Sequence, residues 1–188
     1  MLIAQQKRQE NIAEYLLYMW QVEDLIRACQ LEDQRIEQLL VSRFQSVEGI
    51  TPDTLAAIRQ WYLELRDMML TEGKREAGHL QVNQNILADL TDLHLHLLRD
   101  GQDAIYTSCF YSTLPYIVEL RSKEGDDKLG ELETCFTALY GLMLLRMQHQ
   151  EVGEQTQVAM RQISKFLSLL TAKYKEQKTS PLPSDKEL

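Results

Sequence analysis

Glu76 and His79 stand three residues apart, the Glu-x-x-His spacing that sets a carboxylate and an imidazole on one face of an α-helix. Di-iron helical bundles use that arrangement twice and add two carboxylates from other helices. Here the motif occurs once, and Gly78 weakens the helix between its two members. A metal at Glu76 and His79 is therefore one reading; the other makes Glu76 an ordinary first-turn acid answering the dipole of a helix N-terminus. His94 and His96 are two residues apart and point to different sides of a helix, which suits no shared ion.

Two acidic i, i+3 pairs, Glu64 with Asp67 and Asp89 with Asp92, fall on consecutive predicted helices. Such pairs bind magnesium in all-α nucleotide pyrophosphatases, so a metal-dependent nucleotide hydrolase is an alternative class. Both pairs lie beside or away from the apolar arcs, so geometry argues against that class and favours solvated helix faces. Nucleophile signatures are missing: the chain has no Gly-x-Ser-x-Gly, no Gly-rich phosphate loop, no His-Glu-x-x-His and no Cys-x-x-Cys. No catalytic residue and no cofactor is assigned.

More informative are polar residues placed where polarity is costly. On a wheel of about 100° per residue, His79, Asn83 and His94 share an arc with the leucines of their helix. Glu23 sits at the edge of an apolar arc with Arg27 one turn on, and Arg146 falls in line with Leu132, Leu139 and Met143. A buried ion or amide needs a partner, because its desolvation costs several kcal/mol. Two readings stand: satisfied core hydrogen bonds, or a polar pocket of Glu23, Arg27, Asn83, His94 and Arg146 that holds a small polar or anionic ligand.

The elements that would carry these groups are helices, since apolar residues recur at three and four and alternation at period two never persists. The spacing predicts an all-α helical bundle of six to seven helices. The first spans about Ile3 to Cys29, with an apolar run from Tyr15 to Trp20 that is too wide for one buried face. The second spans about Asp33 to Phe44, with Ile36, Leu39, Leu40 and Phe44 inward. Thr51, Pro52 and Asp53 open a third, which Gly73 ends. A fourth spans about Arg75 to Arg99, and Gly101 stops it. The fifth, about Asp103 to Arg121, has Ile105, Cys109, Phe110, Ile117 and Leu120 inward and Pro115 inside it. A sixth, Glu131 to about Gln148, and a seventh, about Thr156 to Lys175, follow the loop Ser122 to Gly130. Residues 1–176 read as one domain and 177–188 as a flexible tail.

With 188 residues and 44% hydrophobic content the chain can build a sizeable core. Its net charge of −8 repels a phosphate backbone, which argues against a nucleic-acid partner. Residues 156–178 run against that balance, with five basic side chains and only Glu176 opposing them. Cys29, Cys109 and Cys135 are odd in number and lie in apolar helical surroundings, the pattern of reduced core thiols in a cytoplasmic protein. No stretch reaches the length of apolar chain that spans a membrane, and no signal peptide is expected.

Residues 3–28, IAQQKRQENIAEYLLYMWQVEDLIRA, resemble the start of a family of similar length from Bacteroidetes bacteria known only as a domain of unknown function. The resemblance implies a bacterial, cytosolic, mainly helical protein, and it supplies no activity or site residue. Excess apolar helix surface without a catalytic constellation points to a self-associating or partner-binding module, a homo-oligomer or one half of a protein complex.

Overall fold

The computed structural model describes residues 2–124 and 129–179, and the described residues form eight α-helices and a 3₁₀ turn, with no strand. The count exceeds the expected six to seven because the first predicted helix is two: α1, Leu2–Glu10, and α2, Ile12–Ala28. Asn11 makes the break. Its backbone is extended (φ −151°, ψ 105°), and its Oδ1 accepts from the N–H groups of Ala13 at 3.0 Å and Glu14 at 3.3 Å. A capping amide of this kind contributes about 1 kcal/mol. Asn11→Ala is accordingly expected to lower thermal stability by a few degrees, read by circular dichroism; an unchanged or raised melting point would contradict that role.

Backbone contacts divide the chain into two compact units, residues 1–86 and 87–188. In the first, α1 lies along α2, and α2 packs on α4, Pro52–Thr71. The second predicted helix is a short α3, Asp33–Leu39, followed by a 3₁₀ turn, Val41–Phe44, both against α4. Of its four expected inward residues Ile36 and Leu40 are buried, Phe44 is half-buried, and Leu39 faces solvent. Thr51 caps α4 as its type predicts, accepting from the N–H of Thr54.

The wide apolar surface of α2 is absorbed inside the chain: Leu16 and Ile26 are fully buried and Trp20 is 3% exposed. Each such side chain contributes about 1.5–3 kcal/mol by leaving water. The helix therefore gives no argument for a second subunit. The turn that follows it passes through Gln30 and Leu31, both left-handed (φ 56° and 59°) without a glycine, so no punctuation in the sequence marks it.

The unit boundary falls within α5, Gln81–Asp100. The second unit contains α6, Ala104–Glu124, α7, Glu131–Met147, and α8, Glu154–Thr179, each packed on the other two. Gly101, at φ +66°, takes the left-handed position between α5 and α6 that favours glycine. Ile105, expected inward, is 74% exposed, and its neighbour Tyr106 takes the core position. Gln177 to Thr179, assigned to the tail by the sequence, are the last residues of α8. Residues 180–188, and residues 125–128 of the expected loop, lie outside the described residues.

Candidate functional site

Glu23 is the only fully buried carboxylate among the described residues. It is held on α2 by the apolar positions around it, and its oxygens meet the start of α5. Oε1 accepts from the backbone N–H of Leu80 at 3.0 Å and from Nδ2 of Asn83 at 2.7 Å. Oε2 meets Nδ1 of His79 at 2.7 Å. The His79 ring lies flat on Trp20, with ring centroids 4.0 Å apart and planes 9° off parallel. Arg27, one turn beyond Glu23, has its guanidinium 4.0 Å from Oε2 and donates to the carbonyls of Lys74, at 3.3 Å, and Gly78. It also pairs with Asp24 at 2.6 Å.

This constellation explains why α5 begins at Gln81 and not near Arg75. Residues 77–80, Ala-Gly-His-Leu, offer no side-chain cap, so the exposed N–H groups of α5 take carboxylates from elsewhere: Glu23 for Leu80, and Glu72 for Gln81 at 2.7 Å. Gly78 is left-handed at φ +84°. Arg27 occupies carbonyls of the 74–78 segment that a helix would need for itself. The Glu-x-x-His spacing consequently falls on non-helical chain, and the geometric basis of a metal at Glu76 and His79 is lost: Glu76 is exposed while His79 is committed to Glu23. Among the described residues no three His, Cys, Asp or Glu side chains converge as a metal would require.

Of the five residues expected to share a pocket, the structure brings together Glu23, Arg27 and Asn83, and adds His79. His94 belongs to the second unit. It is 1% exposed, with Nδ1 2.6 Å from the Tyr106 hydroxyl and Nε2 3.3 Å from Oε2 of Glu131. A carboxylate can only accept, so Nε2 carries the proton and Tyr106 donates to Nδ1. Phe110 and Phe166 close edge-on around the ring at centroid distances of 4.7 and 5.5 Å. Burial holds the His94 pKa below its ordinary value, against the opposing pull of Glu131, and burial raises that of Tyr106. Arg146, expected inward, is exposed, because only Leu142 is buried in the last two turns of α7.

Chemically both clusters are spent on their own chain. Glu23 has donors from three residues on it and the His94 ring nitrogens are both engaged. Asn83 Oδ1 alone is buried without a hydrogen-bond partner in its cluster. The three cysteines are buried and free; burial pushes the Cys135 thiol up to about 12 and raises that of Cys29, the opposite of an activated nucleophile. Glu64 and Asp67 are exposed on α4, whereas Asp89 and Asp92 line a cleft of about 750 Å³ beside His96 and Tyr174, so the two acidic pairs lie in different units.

The sequence missed His79 as a Glu23 partner, placed Tyr106 with Phe110 in the aromatic packing of its helix without seeing it as a His94 partner, and missed the roles of Glu72 and Glu131. Only the absence of a cap before α5 could have pointed to His79 and Glu72. No helix of the described residues is long and apolar enough to cross a membrane. The family model described as a domain of unknown function (DUF4924) matches residues 1–181. No curated protein and no solved structure matches.

Proposed function

The chain belongs to the DUF4924 family, and we propose that it is a non-catalytic, self-associating helical module in which a second copy docks on the outer face of α6. One observation carries this. α6 is apolar on two sides, and only one is in the core: Tyr106, Phe110, Thr113 and Ile117 are buried, whereas Tyr111 and Val118 are 61% and 56% exposed, with half-buried Leu114 between them. Positions 111, 114 and 118 follow the three-four spacing of a helix-packing seam. Facing a second α6 would remove this stripe from water in both copies, and a tyrosine at such a centre is the kind of anchor that dominates interface energies.

The net charge of −8 supports a protein partner over nucleic acid, and three buried thiols without disulfides support a reducing, cytoplasmic setting. We take the chain through the end of α8 at Thr179 as one domain. Sedimentation velocity across a micromolar concentration series tests the assembly. The native chain is expected to show a dimer, and Tyr111→Glu combined with Val118→Glu to weaken association by at least about a hundredfold at unchanged helical content. A native chain that stays monomeric throughout the series would overturn the reading.

A further inference from the structure

We propose that the first unit holds a binding site for a small monoanionic amphiphile, in a pocket of about 400 Å³ formed where α1, α2 and α4 meet Val82. Its volume lies within the range of small-ligand sites. Tyr15, Met19 and Leu65 are buried at its floor, and half-buried Trp61 and Val82 and exposed Met68 form its walls. Two thioethers and two aromatic rings make a surface that adapts to a ring or an acyl chain without fixing one shape.

The head group follows from the two charges among the lining residues. Arg8 makes no ion pair among the described residues; its guanidinium stands 5.7 Å from the centroid of the Tyr15 ring, leaving its fork of donors for an anion. Glu64 also lines the pocket, and its Oε1 accepts from the Gln60 amide at 3.1 Å. A carboxylate at this position opposes a second negative group and favours one anionic charge over two. Arg8 comes from α1 and Glu64 from α4, so an anion-binding and an anion-repelling group both border the apolar floor. Neither residue takes part in the Glu23 or His94 clusters, and the pocket shares no residue with the α6 stripe, so this site stands or falls independently of self-association.

Decanoate serves as a probe, titrated calorimetrically into the full chain with Trp61 emission followed in parallel. Decanol and decylamine are run as uncharged and cationic controls, and phosphatidylglycerol vesicles as a membrane source of the same chemistry. Saturable decanoate binding with a blue shift in emission is expected, at least about tenfold tighter than decanol. The shift should disappear in Trp61→Phe, leaving the signal of Trp20. Arg8→Gln, at an exposed position, should cost about tenfold in decanoate affinity and leave decanol unchanged, and Val82→Trp should abolish binding of both by filling the space. No saturable heat with decanoate, equal affinity for all three chain compounds, or binding to vesicles alone would each overturn the proposal.

Discussion

Glu23→Ala is expected to lower the unfolding free energy by about 3–5 kcal/mol, the largest effect of any single polar substitution in this chain. The expectation rests on what the carboxylate leaves behind. Its removal strands the Leu80 N–H and the Asn83 amide in a buried site, takes away the acceptor for His79, and leaves Arg27 with Asp24 as its remaining carboxylate. Each stranded buried donor costs about 1–3 kcal/mol. Because Glu23 stands in for the missing cap of α5, the loss propagates to the start of that helix. Glu23→Gln keeps the volume and one oxygen acceptor, and should cost less than Ala. Urea unfolding followed by tryptophan emission measures both; an Ala variant within about 1 kcal/mol of the native chain would show that Glu23 does not hold the junction.

The second large effect concerns His94. His94→Ala opens a cavity among Phe110, Phe166 and Tyr106 and leaves the buried Tyr106 hydroxyl without its acceptor, a loss of about 3 kcal/mol. The same residue imposes a pH dependence whose sign follows from burial. Desolvation lowers the folded-state pKa of His94 below the ordinary histidine value of 6.5. As pH falls through that value the unfolded chain takes up a proton that the folded chain still refuses, so stability is full above it and drains away on acidification towards the lowered folded value. Glu131, at the edge of the site, favours the protonated ring and moderates the loss. Unfolding free energies measured between pH 7.5 and 5, as an experimental range spanning the ordinary histidine value, should decline for the native chain and be flatter for His94→Gln. Equal slopes for the two proteins would place the pH dependence elsewhere.

How far these features are legible in the chain differs from residue to residue. Helical periodicity identifies the buried face of α4, since Ile58, Tyr62, Leu65 and Met69 are all inside. Local chemistry identifies the start of α4, where Thr51 and Pro52 need no distant partner. It fails at Asn11, where one residue caps a helix amid an otherwise unbroken pattern, and at Gln30 and Leu31, where the backbone turns left-handed without a glycine. Arg146 shares an arc with buried residues, yet the helix outruns its neighbours before reaching it. A wheel gives direction, not cover.

Composition and periodicity by themselves determined an all-helical chain with an apolar core, reduced thiols, and polar groups at Glu23, Asn83 and His94 facing inward. Those properties depend on side-chain type and a fixed rise per residue, which a sequence contains in full. Only the tertiary structure decided which polar groups meet. Glu23 reaches residues 79–83 across more than fifty positions of chain, and His94 turns instead to Tyr106 and Glu131. Hydrogen bonds act over about 3 Å, and the backbone path that brings two distant residues within that range is set by the packing of the whole core, not by either residue's neighbours in sequence.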